Sequence, residues 1–126
     1  MELDVSGANW LFELDLDTLL AYVPSRVFFS ELPRFPAVVR DVAVMVEADF
    51  ASDRVLRFVR ERGDELVEEI VLFDQYTGAP IPPGRKSLAY SISYRAADRT
   101  LTDDEVNRVH GELKTALSRE LPVELR

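Results

Sequence analysis

The chain has 126 residues, of which 47% are hydrophobic, so it can supply the core of one domain of ordinary size. It contains no cysteine, which excludes disulfides, iron-sulfur clusters and thiolate zinc sites. Without a signal peptide, this composition favours a reducing, cytoplasmic location. No apolar run approaches the roughly 20 residues that a membrane span needs, and the formal net charge of −8 predicts poor nonspecific affinity for nucleic acid.

The negative charge is unevenly distributed. Residues 1–32 hold six acids against one base, Arg26, for a net charge of −5. Residues 33–126 hold 17 acids against 14 bases, for a net charge of −3. The longer part of the chain is therefore nearly balanced.

The first regular elements are a strand and a short helix. Val42, Val44 and Val46 alternate with Asp41, Ala43 and Met45. This pattern predicts a strand from Val38 to Val46 with one face in the core and the other more open. Ser52 or Asp53 can cap the helix that follows, and Gly63 is a good stop residue. Its apolar side consists of Val55, Leu56 and Val59.

Two more strands follow, separated by a proline-rich loop. The β-rich run from Leu66 to Tyr76 ends before a segment with three prolines, which preclude regular pairing. Beyond it comes the clearest period-two pattern of the chain, whose large residues are Leu88, Tyr90, Ile92 and Tyr94. We expect both tyrosines of this pattern to point into the core, where their hydroxyls need partners.

The last elements are a helix with a clear start signal and a short strand. Thr102 and Glu105 have the spacing of a capping box, so the helix begins there, and its apolar stripe predicts an end near Glu120. A final strand is predicted from Val123 to Leu125.

The order of these elements predicts the fold class. It is α+β, a ferredoxin-like β-α-β-β-α-β split sandwich, in which an antiparallel sheet carries two helices on one face, plus an N-terminal extension. The other face of the sheet, here called the open face, is left without a helix. Its predicted members are Ser87, Ala89, Ser91, Ser93 and, on the first strand, Ala43.

Two uses of the open face remain possible from its residues. It is either a solvated surface or a surface that a flat base or a partner chain approaches closely, because its side chains are small. Its central strands lack the exposed aromatics with which RNA-recognition motifs stack several bases. A docked loop with one or two splayed bases therefore fits better than a long single strand.

Catalytic chemistry finds no support in the sequence. There is no serine-histidine-aspartate set, no phosphate-binding glycine loop and no nucleophilic cysteine, so we expect no catalytic activity of this chain alone. His110 is the single histidine and cannot build a zinc site from nitrogen and sulfur ligands, so we expect no metal and place His110 on a helix surface.

Four sequence runs resemble a known family. They are RFPAVVRDVAV at 34–44, FDQYTG at 73–78, GRKSLA at 84–89 and DRTLTDDEV at 98–106. At this order and spacing they resemble the C-terminal ferredoxin-fold anticodon-binding domain of the bacterial phenylalanyl-tRNA synthetase beta chain. The resemblance implies such a domain over residues 33–126. The extension, residues 1–32, is similar from Ser6 to Tyr22 to the closing strand and short helix of the catalytic-like module that precedes this domain in the family.

The resemblance also implies a base-binding site. Asp74 would accept hydrogen bonds from the Watson-Crick edge of guanine, the first anticodon base of phenylalanine tRNA, and Tyr76 would stack on it. Ser87 and Ala43 would form the floor and side of the pocket.

Three cations are candidates for further RNA contacts. The resemblance implies that Arg126 adds stacking or a phosphate contact. Lys86 and Arg95 flank the proposed face, and their position leaves two uses open: contact with phosphates or surface ion pairs with neighbouring acids.

The implied partners are the anticodon of phenylalanine tRNA, the rest of the beta chain and the alpha chain, with no DNA or membrane partner. No cofactor is expected for this chain, since the family uses ATP and magnesium at a site on another chain. An alternative from the residues alone is a ferredoxin-like interaction or regulatory module whose open face contacts a protein or a small molecule.

Overall fold

The computed structural model describes residues 7–8, 10–24 and 32–126. The chain divides into two compact units, Met1–Leu32 and Pro33–Arg126. In the first unit, helix α1 spans Leu16–Leu20, and the Asp15 carboxylate caps it by accepting from the backbone N–H of Asp17 at 3.1 Å. Of the predicted closing strand, Ser6 and Asn9 lie outside the described residues, and residues 10–15 are not in a strand.

The second unit contains the remaining elements. They are β1 (Val38–Glu47), α2 (Asp53–Arg62), β2 (Val67–Tyr76), β3 (Arg85–Tyr94), α3 (Asp103–Glu120) and β4 (Glu124–Leu125). The strands form one antiparallel sheet in the order β2-β3-β1-β4, which confirms the predicted α+β ferredoxin-like fold. No helix within the described ranges is long and apolar enough to cross a membrane.

The core lies between one face of the sheet and helices α2 and α3. Both tyrosines of β3 point into it, as predicted, and burial raises the pKa of each to about 12. The Tyr90 hydroxyl donates to the Ser52 carbonyl at 3.0 Å, and the Tyr94 hydroxyl lies 2.9 Å from His110 Nδ1. The prediction that His110 lies on a helix surface was therefore wrong: it is partly buried against the core, and this burial lowers its pKa.

The helix ends show which sequence signals act as predicted. The capping box of α3 is present: the Glu105 N–H donates to Thr102 Oγ1, and the Thr102 N–H donates to the Glu105 carboxylate. Helix α2 ends at Gly63 as predicted, but that residue has φ −62°, so it is not a left-handed cap. A Cβ there would lie 2.3 Å from the Val59 carbonyl oxygen, so close contact with the last helical turn is what requires glycine.

A β-bulge changes which residues of β2 face the core. Leu72 pairs with Tyr90 on the core side, and the register shifts before the next pair, Asp74 with Ala89. Phe73 is the extra residue. Because side chains alternate between the two faces of a strand, one extra residue moves everything after it to the opposite face. The bulge therefore turns the end of β2 toward the open face.

Candidate nucleic-acid interface

Residues from three strands meet on the open face in two adjacent rows. The alanine row runs from β2 to β1 through Asp74, Ala89 and Ala43, and the serine row runs beside it through Tyr76, Ser87 and Met45. Directly paired residues in an antiparallel sheet point to the same face. The structure thus brings together Ala43, Asp74, Tyr76 and Ser87 on one face. The resemblance had assigned these four residues to one pocket.

Ser87 is the one buried polar residue within the described part of the chain, with 6% of its surface exposed. Its two neighbours in the serine row, Tyr76 and Met45, flank it on either side. No hydrogen bond of its side chain to any described residue is present. The hydroxyl is not among the fully buried atoms without a partner, so the serine row has an accessible and unused hydrogen-bonding group at its centre.

Tyr76 is held in place by the loop that follows it. Its hydroxyl donates to the Ala79 carbonyl at 2.7 Å, while 45% of its surface remains exposed. Gly78 lies beside the ring, with φ +113°, a conformation that side chains other than glycine rarely adopt. The FD-x-Y-x-G run therefore encodes an aromatic ring that is both fixed and accessible.

Asp74 supplies unused acceptors next to that ring. The residue is exposed, and its carboxylate makes no hydrogen bond or ion pair with the residues that the structure describes. Both of its oxygens are thus available to a ligand on the open face.

The C-terminal strand brings Arg126 to the opposite end of the alanine row. Leu125 pairs with Val44, and the Arg126 N–H donates to the Ala43 carbonyl at 2.9 Å. Arg126 itself is exposed and makes no ion pair among the described residues. A cation therefore lies on the far side of Ala43 from Asp74.

Arg85 fastens that short strand to the sheet. Its Nη1 donates to the Glu124 carboxylate at 2.9 Å, and its Nη2 donates to the Met45 carbonyl at 3.4 Å. The buried Nε lies 3.5 Å from the Glu47 carboxylate without hydrogen-bond geometry. Arg85 is thus used inside the domain, although it lies on the open face.

The other two predicted cations are placed away from the two rows. Lys86 pairs with Val46, so its side chain leaves the sheet on the helix side, opposite Ser87. Arg95 follows the far end of β3, where it donates to Glu68 at 2.8 Å and to the Phe35 carbonyl. Their contact with phosphate stays a prediction, and for Lys86 it would have to be made around the end of the strand.

Sequence reasoning missed Met45, which completes the serine row. Alternation placed it on the open face of β1, but only the register shows that it lies across Ser87 from Tyr76. No group of three or more histidine, cysteine or acidic residues within residues 7–8, 10–24 and 32–126 is placed to hold a metal ion.

Comparison with known proteins identifies the family of the domain. Residues 33–126 match the family described as the ferredoxin-fold anticodon binding domain. The chain is 44% identical over 98% of its length to the phenylalanine-tRNA ligase beta subunit of Symbiobacterium thermophilum, and 42% identical over 98% to that of Clostridium tetani. It is 49% identical over 91% of its length to the same subunit of Anaeromyxobacter dehalogenans.

The chain spans only 14% to 16% of the length of these three relatives. Both the fold and the motifs at 73–78 and 84–89 fall inside the matched range. The chain belongs to the ferredoxin-fold anticodon-binding domain family.

Proposed function

We propose that this chain binds the anticodon stem-loop of phenylalanine tRNA on its open face and distinguishes the first anticodon base, a guanine. The observation that carries the proposal is the meeting of Asp74, Tyr76, Ser87 and Ala43 in two adjacent rows of the sheet. The phenylalanine-tRNA ligase beta subunits that the chain resembles support the choice of tRNA.

Each residue of the two rows has a role that its chemistry supports. The Watson-Crick edge of guanine carries two adjacent donors, which suit the unoccupied carboxylate of Asp74, whereas cytosine presents only one amino group there. The fixed ring of Tyr76 stacks on the base, a contact worth about 1–3 kcal/mol. Ser87 supplies a hydroxyl at the floor, and the small side chain of Ala43 lets the base approach the sheet.

The charges around the two rows determine how much of the affinity comes from the RNA backbone. Arg126 lies where a phosphate or a neighbouring base could contact its guanidinium group. The remaining open-face charges include Asp41, Glu69 and Glu124, which repel phosphate. Affinity therefore comes mainly from contacts with bases and less from attraction to the RNA backbone.

Within a complete phenylalanine-tRNA ligase, the chain would position tRNA and leave the reaction to other parts. ATP and magnesium would be used at a site on the alpha chain, and the domain would contribute binding energy and orientation through the rest of the beta chain. In this proposal the protein works in the cytoplasm. Loss of the domain would reduce tRNA charging and spare activation of the amino acid.

The test is a comparison of two RNA stem-loops binding to the 126-residue chain. One carries the phenylalanine anticodon, and the other has its first guanine replaced by cytosine. Fluorescence anisotropy should show tighter binding of the guanine loop, and Asp74→Asn should reduce this preference about tenfold because a hydrogen bond to a charged acceptor is lost. Tyr76→Ala should weaken the binding of both loops.

Glu69→Gln is the matched control, because Glu69 lies on the same strand and face and pairs with Ser93 at the other end of the sheet. It removes the same charge and should leave the preference unchanged. Equal effects of Asp74→Asn and Glu69→Gln would contradict guanine recognition by Asp74. Absence of binding to either loop would favour the alternative of a protein-contact or regulatory module.

A further inference from the structure

We propose that Met45 is a specificity-determining residue, the second wall of a slot that holds the first anticodon base against Tyr76. The slot is the space above the serine row, with Tyr76 and Met45 as walls and the Ser87 hydroxyl as floor. Its occupant is a flat purine ring. This inference rests on the proposed function and adds to it a residue that the family motifs do not include.

The spacing of the walls fits a flat ring. Tyr76 lies on β2 and Met45 on β1, and β3 runs between these two strands. Their backbones are therefore about 10 Å apart. A ring in contact on both faces needs about 7–8 Å between the atoms of the two walls. Tyr76 is fixed by its bond to Ala79, so the flexible thioether side chain of Met45 closes the remaining gap.

The floor points independently to a ligand. Ser87 is more than nine-tenths buried, and its hydroxyl has no partner among the described residues. Among the described residues, Arg85 Nε is the one fully buried side-chain polar atom without a hydrogen bond, so the Ser87 hydroxyl keeps some exposure and can be reached from the open face. An edge of a base entering between Tyr76 and Met45 would give this hydroxyl a hydrogen bond that no described residue supplies.

The backbone of Met45 is held from both sides, so its side chain is the only part free to adjust. Met45 pairs with Ser87 of β3 and with Glu124 of β4, and its carbonyl accepts from Arg85. Sulfur makes favourable contacts with aromatic rings, which gives a wall of methionine an advantage over an aliphatic one of the same length.

The first test observes the unaltered protein. The chain has only two methionines, Met1 and Met45, so their methyl signals are readily separated by NMR. Addition of the guanine stem-loop should move the Met45 methyl signal upfield through the ring current of the base and leave the Met1 signal in place. A Met45 signal that does not move while the loop is bound would overturn the inference.

The second test uses a thermodynamic cycle on the same 126-residue chain. Met45→Ala should weaken binding of the guanine loop about fivefold, and Met45→Leu about twofold, because leucine keeps the volume and loses the sulfur. In a Tyr76→Ala background, Met45→Ala should cost less, since the two walls act on one ring. Val39→Ala, which alters an exposed open-face residue of β1 paired with Ser93, should have no effect.

The outcomes separate the two proposals. If Tyr76→Ala weakens binding and Met45→Ala matches Val39→Ala, the slot is wrong and the proposed function stands. If no variant changes binding, including Tyr76→Ala and Asp74→Asn, the proposed function fails together with the slot.

Discussion

Two glycines of the helical layer occupy opposite environments, and this predicts opposite effects of the same substitution. A Cβ on Gly63 would meet the Val59 carbonyl oxygen at 2.3 Å, whereas one on Gly111 in α3 would meet nothing within 4 Å. Gly63→Ala should lower the free energy of unfolding by about 1–3 kcal/mol through steric strain. Gly111→Ala should raise it by about 0.5–1 kcal/mol, because alanine is the better helix former.

Urea denaturation of both variants checks this pair. Each serves as the control for the other, since the chemical change is identical. A stabilising effect of Gly63→Ala would show that the end of α2 can shift away from the new methyl group.

Helix α3 carries an acid-sensitive cap at its first turn. The Arg99 guanidinium, together with the backbone and hydroxyl of Thr102, lowers the pKa of Glu105 from 4.5 to about 2. A pKa that is lower in the folded state contributes stability that is fully present above about 4.5 and is lost as the pH falls toward 2. Stability should therefore decline over this window, and Glu105→Gln should flatten the decline.

Unfolding midpoints measured across that pH window test the cap. Glu112→Gln is the control, because Glu112 lies on the same helix and pairs with Arg108 at the surface. The cap would play no part in acid sensitivity if Glu105→Gln and Glu112→Gln gave the same profile. Thr102→Ala should separately cost about 1 kcal/mol at neutral pH through the lost cap.

The two-residue strand β4 depends on one arginine for its attachment. Arg85 binds Glu124, and the next residues place the Arg126 N–H against the Ala43 carbonyl. Arg85→Gln should therefore speed hydrogen exchange at the Arg126 amide, because local opening of β4 becomes easier. Arg108→Gln, which breaks a surface pair on α3, should leave that amide unchanged. Equal exchange in both variants would mean that backbone pairing alone holds β4.

Elements with strong periodicity could be predicted from the sequence, and local departures from it could not. The alternation around Tyr90 and Tyr94 correctly predicted β3, and the Thr102 signal correctly predicted the start of α3. The bulge at Phe73 left no such signal. Simple alternation puts Leu72, Asp74 and Tyr76 on one face, so only the register shows that the last two leave the core.

The candidate site was predictable to the same extent. Motif resemblance identified Asp74, Tyr76, Ser87 and Ala43, and the register confirms that they share one face, while their role stays a proposal. Met45 needed the pairing of three strands. The position of Lys86 depends on the face of β3 to which the alternation assigns it. The position of Arg95 depends on contacts with Glu68 and Phe35, which are distant in sequence.

For the whole molecule, the charge distribution predicts that RNA binding depends weakly on salt. The net charge is −8, and Arg126 is the one cation on the open face without an ion pair among the described residues. Each phosphate neutralised on a single strand contributes a slope of about −0.7 to log K against log salt concentration. Binding of the guanine loop should therefore show a slope near −1 or shallower in an anisotropy titration.

Two variants that each remove one positive charge complete that measurement. Arg126→Gln should bring the slope close to zero, whereas Lys114→Gln on α3 should leave it unchanged. A slope of about −3 or steeper would indicate several phosphate contacts, and would require a basic surface other than the open face.

The most direct test of guanine recognition on the open face is NMR shift mapping of the chain with the phenylalanine anticodon stem-loop and with the loop whose first guanine is cytosine. We expect shifts centred on Ala43, Met45, Asp74, Tyr76 and Ser87 with the guanine loop, and much smaller shifts with the cytosine loop. Equal shifts with both loops, or shifts centred on the helical face of the sheet, would contradict it.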